Sequence, residues 1–573
     1  MYFFSWFVFL LMICGLPAGA IAQQDSLLHL EPVFSGQHSA LSRVQRQWKG
    51  KKIPAADLEE TTETLLRDLH RNGFLAASAD SVVLRQDSVI MHLYTGPQFA
   101  TVVLARIKAD STARWFLPRN LPPGNEMSPA AFYDLQKKWL TAAENNGYPF
   151  ARATTLLQGT SAQKAYYQVS FEAGPLLRYD SLQLTGSAVV SKTFLEKYLR
   201  LKQGRPYSRS VVNAAAKRLE ALPWLDLAGE PLPWFNEGKA GLRLPLQKQA
   251  ANEAEGILGL APNGDKNVLT GELRLAVYSP LRRGSQLFLH WQRLQPTSPA
   301  YNFSFYYPFV LGSPLSLQVK LQSFKQDSSF FNLDRYLGAE WEAGLRHRLF
   351  AGLRFSSSRT FSTTNLLAPE VNTENFTKNM LAFGYVLDSR NHFRFPERGW
   401  FARLEVQTGQ RRRLTGDPAA DSLFTTTATS QWQVQAQLER FLKMPGAGVL
   451  AFKLAGSKIF ADDILLNEAF RPGISGWLRG YPPGIFFTDA FVTHSLEWRL
   501  QTFGESFVYA FTDQAFISNK LSNFAANFVP VSIGAGGEIA MGEGIVKLVY
   551  GYGFSTGTFP GGSTLQAGYI SRF

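Results

Sequence analysis

Leu315-Ser-Leu-Gln-Val-Lys-Leu-Gln322 alternates apolar and polar residues without interruption. A period of two belongs to a β-strand with one greasy and one wet face. The same beat runs through Trp432, Val434, Ala436 and Leu438, set against Gln431, Gln433, Gln435, Gln437 and Glu439. From Glu253 to Phe573 helical periodicity is absent and segments of this kind follow one another. No apolar run of the ~18 residues that a helical span requires occurs beyond residue 22, so only a closed barrel could carry this chain across a bilayer. Lys320 facing hydrocarbon at mid-bilayer would cost roughly 2–4 kcal/mol, so its face must line a lumen. The alternating segments number about 16, an even count that suits a single-chain antiparallel transmembrane barrel. Soluble sandwiches and propellers alternate as well. Tyr301, Phe303, Phe305, Tyr306 and Tyr307, gathered near strand ends, suit the aromatic girdles of a membrane barrel better.

The amino terminus points to export. Residues 7–16 form a short apolar run that ends at Pro17, and Ala20-Ile-Ala22 offers a cleavage site before Gln23. No Lys or Arg precedes the run, a departure from the usual leader. The chain's one cysteine, Cys14, lies inside the segment that would be removed, which leaves a thiol-free mature protein suited to an oxidising compartment. Residues 1–22 carry no charged side chain, so the whole formal charge of +13 belongs to the remainder. Export turns that balance away from nucleic acid and toward an anionic lipid surface or a basic lumen.

Between the leader and the barrel, two signposts recur. Asn72-Gly-Phe74 is followed by Gly96-Pro97, and Asn146-Gly-Tyr148 by Gly174-Pro175. The spacing of about 75 residues invites a search for repeated units. Leu58, Leu65, Leu66 and Leu69 share one helical face before the first Asn-Gly; Phe132, Leu135 and Trp139 share one before the second, with Ser128-Pro129 as cap and first turn. Two strands follow each Asn-Gly, and a third unit runs from Leu177 with two helices and further strands to Leu246. The order is strand, helix, helix, strand, strand. A small three-stranded sheet of this kind is either a rigid spacer or an open edge on which an extended segment can pair.

Within the barrel region one long loop stands out, Arg471-Pro-Gly-Ile-Ser-Gly-Trp-Leu-Arg-Gly-Tyr481, followed by Pro482, Pro483 and Gly484. Its glycines and prolines stop any ladder on either side, so Arg479 sits at a loop tip between two strands.

Leu478-Arg479-Gly480-Tyr481 resembles the V-R-G-F/Y motif of the Omp85 superfamily of outer-membrane barrels (bacterial surface antigen D15 type), with Leu in place of Val. Asp388-Ser-Arg390, Pro396 and Gly399-Trp400 resemble the family's D-x-R…P-x-x-G segment, and the terminal strand Gln566-Ala-Gly-Tyr-Ile-Ser-Arg-Phe573 resembles its assembly signal. Asp513 after Val508 to Phe511 matches the acidic residue of F-x-D-x-G, although Gln514-Ala515 departs from that pattern. The amino-terminal units resemble POTRA domains. The resemblance implies a signal peptide at 1–22, three POTRA-like α+β domains at 23–97, 98–175 and 176–250, and an all-β 16-stranded antiparallel transmembrane barrel at 253–573 with an inward loop at 462–488. It further implies that Arg479 points inward to Asp513, with Glu497 as a second acceptor, so that the loop acts as a latch. A seam would join residues 254–260 to 565–573, weakened by Gly256, Gly259 and Gly568 and ending at Phe573.

No metalloprotease, nucleophile-elbow or complete phosphate-loop pattern occurs; Gly259-Leu-Ala-Pro-Asn-Gly264-Asp-Lys266 imitates the last but reads as a hairpin turn. Neither an enzyme nor a cofactor is expected. The resemblance implies a factor of the BamA and TamA branches that captures client strands with its periplasmic domains and inserts them at the seam. Its expected partners are outer-membrane lipids, unfolded outer-membrane proteins, and an assembly partner in the periplasm or inner membrane. The alternative is a protein-translocating pore of the two-partner-secretion type, which the count of three units and the lack of a helical pattern before the first repeat disfavour.

Overall fold

A computed structural model describes residues 27–573 apart from 36–40, 55–56, 86, 118–122, 264–265, 294–296, 345, 362–372, 393–394, 416–423, 473–477, 483–484, 519–520, 522–526 and 557–560. The expected signal peptide and the middle of the Arg471–Tyr481 loop therefore lie outside the described residues. The described chain falls into two compact units, one ending at Arg178 together with 206–209, the other comprising 179–205 and everything from Ser210 on.

The first unit holds two sheets. Strands β1 (Leu27–Ser35), β2 (Lys52–Pro54), β3 (Ser78–Leu84) and β4 (Ser88–Tyr94) lie in the order β2-β1-β4-β3, with helices α1 (Leu41–Trp48) and α2 (Leu58–Arg71). Strands β5 (Thr101–Ala109), β6 (Glu126–Met127), β7 (Arg152–Ser161) and β8 (Lys164–Glu172) repeat that arrangement as β6-β5-β8-β7, with α3 (Pro129–Asn145). Leu65 and Leu69 of α2 pack with Leu30, Val89 and Met91, and Phe132 and Trp139 of α3 with Val102, Val169 and Phe171. Burial of one helical stripe on one sheet face is what holds so small a layer together.

The recurrent Asn-Gly has a structural cause. Asn72 and Asn146 cap α2 and α3, and the glycines that follow adopt φ of +96° and +100°. Gly73 accepts a hydrogen bond from the Phe99 amide, just before β5, and Gly147 one from the Leu177 amide. A Cβ at Gly73 would stand 2.3 Å from the Phe99 carbonyl oxygen, which excludes any other residue there.

Two features differ from the sequence expectation. Each sheet has four strands, because β2 and β6 add a short ladder to one edge and leave β3 and β7 as the open edges. The second repeat, β5 to β8, also has one α-helix where two were expected: a 3-10 turn at Ala113–Phe116 stands in for the other. Pro118, Pro122, Pro123 and Gly124 directly behind it prevent a longer helix.

The second unit begins with β9 (Arg178–Thr185), α4 (Lys192–Tyr198), α5 (Arg209–Leu219), β10 (Leu225–Leu227), β11 (Leu232–Asn236) and β12 (Lys239–Lys248), the last pairing with all three other strands. The ring of Phe194 of α4 lies 5.9 Å from that of Phe309 on a barrel turn, and a Cβ at Gly284 would lie 2.4 Å from the Phe194 ring. The Ser191 amide donates to the Arg282 carbonyl at 2.8 Å, and Lys197 donates to the Gly312 carbonyl. The third sheet thus docks on the turns at one end of the barrel.

Sixteen antiparallel strands close that barrel. The first eight are β13 (Glu253–Asn263), β14 (Lys266–Tyr278), β15 (Gln286–Arg293), β16 (Ala300–Tyr307), β17 (Leu315–Gln326), β18 (Phe330–Glu342), β19 (His347–Thr360) and β20 (Asn375–Asp388). The rest are β21 (Gly399–Thr415), β22 (Phe424–Lys443), β23 (Gly448–Phe460), β24 (Ala490–Gln501), β25 (Phe507–Ser518), β26 (Val531–Met541), β27 (Gly544–Gly553) and β28 (Gly562–Arg572). Leu315 and Leu321 face outward and exposed, whereas Lys320 lines an internal cavity of about 240 Å³ with Asp334, Tyr336, Arg354, Arg403 and Glu405. One girdle residue is reassigned: Tyr306 turns inward, its hydroxyl 3.5 Å from Glu340, because it sits one position out of phase with Tyr301, Phe303 and Phe305.

Candidate functional site

The loop between β23 and β24 enters the lumen and is fixed there by two groups of charges. At its tip, Arg479 donates through Nε to Asp513 Oδ2 at 2.8 Å and through Nη2 to Asp513 Oδ1 at 2.7 Å. Its backbone amide also donates to Oδ2, at 3.0 Å. Nη1 reaches Glu497 Oε1 at 2.8 Å and Nη2 reaches Ser495 Oγ at 2.9 Å, while the guanidinium carbon lies 3.6 Å from the Phe511 ring centre. Glu497 is held in turn by Lys453 at 2.9 Å and Arg499 at 2.6 Å. Asp513, fully buried, would be costly as a lone charge, and the fork of Arg479 satisfies both of its oxygens.

Strand parity delivers these partners. Ser495, Glu497 and Arg499 are alternate residues of β24, and Phe511 and Asp513 are alternate residues of β25, so all five face the lumen. The backbone of the tip then lies on β27. Gly480 adopts φ +93°, and a Cβ there would stand 2.8 Å from the Gly553 nitrogen; a Cβ at Gly551 would stand 2.8 Å from the Gly480 nitrogen. Tyr481 donates to the carbonyls of Phe554 at 2.6 Å and Val531 at 3.0 Å, and the Gly480 amide donates to Thr564 Oγ1 of β28 at 3.2 Å. Leu478 and Tyr481 join a buried cluster with Phe486, Ala515, Ile517 and Phe528.

A second group anchors the beginning of the loop and was not foreseen from sequence. Glu468, fully buried, meets Arg411 at 2.6 Å and Lys378 at 2.5 Å, and accepts from Gln431 at 3.2 Å. Asn467 donates to Ser358 Oγ at 2.6 Å and to the Glu374 carbonyl at 2.8 Å, and Asn332 donates to the Asn467 carbonyl at 2.6 Å. Lumen parity on β20 and β21 points Lys378 and Arg411 inward; nothing in the sequence says that Glu468 meets them there.

The seam is the other notable region. β13 and β28 pair only through Glu253–Arg572, Ala254–Ser571 and Glu255–Ile570, three residue pairs. Other neighbouring strands share from seven pairs, β15 with β16, to seventeen, β21 with β22. Gly256 and Gly259 lie on β13 beyond this ladder and pair only with β14, at Leu273 and Thr270. Gly568 lies on β28 outside it as well, with a Cβ position 2.9 Å from the Glu255 carboxylate oxygen. The Phe573 amide donates to the Asn252 carbonyl at 3.2 Å, and its ring is half exposed.

Residues 281–567, half of the chain, match the family model described as the Omp85 superfamily domain. The chain belongs to the Omp85 superfamily of outer-membrane proteins, with POTRA-like domains preceding its barrel. Among solved structures it is similar to CdiB from Acinetobacter baumannii, at 12% identity and TM-score 0.51, covering 94% of this chain and 99% of that one. It is also similar to BamA from Haemophilus ducreyi lacking POTRA domains 1–3, at 15% identity and TM-score 0.46, covering 82% and 100%. CdiB from Escherichia coli follows at 11% identity and TM-score 0.48, covering 94% and 100%. No curated protein gives a significant sequence match.

Proposed function

We propose that the protein inserts client barrels into the outer membrane, with the amino-terminal sheets holding extended client segments and the β13–β28 seam receiving them. The observation that carries this reading is the three-pair seam. A barrel edge left unpaired over most of its length is a template for another strand, since its backbone donors and acceptors find no partner in hydrocarbon. The open edges β3 and β7 are the corresponding feature of the first two sheets, and we take the three sheets as the domains 23–97, 98–175 and 176–250. Arg479 acts here as a latch that holds the loop against β24, β25 and β27 next to the seam. Members of the superfamily are assembly and transport factors, so the work comes from binding and folding energies. Depletion followed by profiling of the outer membrane tests the reading. Broad loss of barrels supports insertion, and loss of a single exported protein identifies a secretion pore instead.

A further inference from the structure

On strands β17 to β22 the inward and outward cations are treated differently. The inward arginines 348, 354, 403, 411 and 413 each meet a carboxylate. The outward-facing positions of these six strands contain no Asp or Glu at all, yet they carry Lys325, Arg359 and Arg412 near the ends remote from the third sheet and Arg335 at mid-strand, opposite Leu321 and Phe355. None of the four is in an ion pair among the described residues; Lys325 lies 5.5 Å from the Phe361 ring centre. At the opposite end the same outward faces carry one arginine, Arg440, stacked 4.5 Å over Trp400.

Register brings the outer cations together. Phe331 is opposite both Lys325 and Arg359, and Thr377 is opposite both Arg412 and Ser357, two residues before Arg359. From strand spacing and rise, Arg359 and Arg412 are roughly 12 Å apart along the wall, a gap that two long side chains can close on one ligand. Toward mid-strand from them lies an outward groove of about 250 Å³ whose lining includes Leu353, Phe355, Leu381, Thr377, Asn379 and Arg412, with Arg359 beyond its β19 side. Leu353 and Leu381 are cross-strand neighbours toward the middle of the barrel; Arg412 marks the groove's outer end.

We propose that this groove seats an outer-leaflet glycolipid, one acyl chain over Leu353, Phe355 and Leu381 and its phosphate monoesters between Arg359 and Arg412. Cations on a lipid-facing wall cost least at headgroup depth, and an all-cation cluster at the strand ends calls for an anion from the membrane itself. An apolar floor running into a cationic rim fits an amphiphile; free phosphate would leave the floor unused. The three-to-one bias of end-of-strand cations, Lys325, Arg359 and Arg412 against Arg440, assigns the outer leaflet. Guanidinium forks suit phosphate oxygens, which they bind two at a time.

The test uses the full chain purified in a neutral detergent and native mass spectrometry with added lipid A, a glucosamine disaccharide bearing two phosphates. Dephosphorylated lipid A and phosphatidylglycerol serve as comparison lipids. The wild type should retain the bis-phosphorylated lipid at least tenfold more tightly than either comparison lipid. Arg359→Gln with Arg412→Gln should lose that preference, and Arg440→Gln should keep it. Equal retention of all three lipids by the wild type would overturn the proposal whether or not the double variant folds. So would a folded, heat-modifiable double variant that keeps the wild-type preference.

Discussion

Arg479 and Asp513 meet through three hydrogen bonds, two from the guanidinium and one from the backbone amide of the arginine itself. The carboxylate thus fixes the side chain and the main chain of the loop tip together. Deleting either partner of such a pair strands the other, at a cost of roughly 3–5 kcal/mol when both are fully desolvated. A lumen that admits water reduces this figure, and Glu497 adds a second partner. Arg479→Ala is expected to fold but to lose its heat-modifiable band in detergent gels at a lower temperature than wild type. Arg479→Asp with Asp513→Arg should be more stable than either single variant, although Glu497 beside the new aspartate will keep rescue incomplete. A double variant no better than the worse single one would show that direct contact is not what holds the tip.

Gly480→Ala should release the tip without changing any charge. Its Cβ would enter within 2.8 Å of the Gly553 nitrogen, and its φ of +93° strains any L side chain. Strain of this type costs of order 1–3 kcal/mol. Limited proteolysis of the folded barrel should then cut the 462–488 loop faster than in wild type.

Glu468→Ala removes the shared partner of Lys378 and Arg411, both buried. Arg411 keeps Asp463, but the stranded Lys378 should destabilise the base of the loop more than Glu468→Gln, which retains hydrogen-bond acceptance. Hydrogen exchange over residues 461–472 separates the two variants, and equal protection would exclude an anchoring role for the carboxylate.

A cysteine pair at Ala254 and Ser571, which are directly opposite across the seam, should cross-link in a chain otherwise free of thiols beyond Cys14. The oxidised form should lose client insertion and regain it on reduction. Insertion at the wild-type rate by the fully oxidised protein would rule out the seam as the point of entry.

Asp110 supplies an acid-sensitive element away from the membrane. Backbone N–H groups of Ala113, at 2.5 Å, and Ala173, at 3.1 Å, hold its carboxyl below the ordinary value of 3.8. A depressed carboxylate pKa adds stability that is present above the unfolded value and lost as pH falls through the folded one. Exchange protection of residues 110–117 should therefore be constant at neutral pH and decline below about pH 4, where the carboxyl begins to protonate. Asp110→Asn should start lower and show less of this decline.

The sequence by itself determined that the last part of the chain is a barrel and which side chains face which way. Strand parity is a local property, and a lysine or glutamate on one beat leaves only one orientation that a bilayer tolerates. Lys320 and Glu497 could be set on the wet face on that ground alone, Asp513 only through the family resemblance, and the Asn-Gly signposts marked the repeats because the turn ending α2 and α3 takes φ > 0 at Gly73 and Gly147. What only the tertiary structure decided is which inward residues meet. The positions of Ser495 and Lys453 around Arg479, the union of Glu468 with Lys378 and Arg411, and the short seam between residues some three hundred positions apart depend on barrel closure and on the path of an irregular loop. Neither leaves a periodic trace, because shear and loop trajectory are set by the sum of many distant contacts.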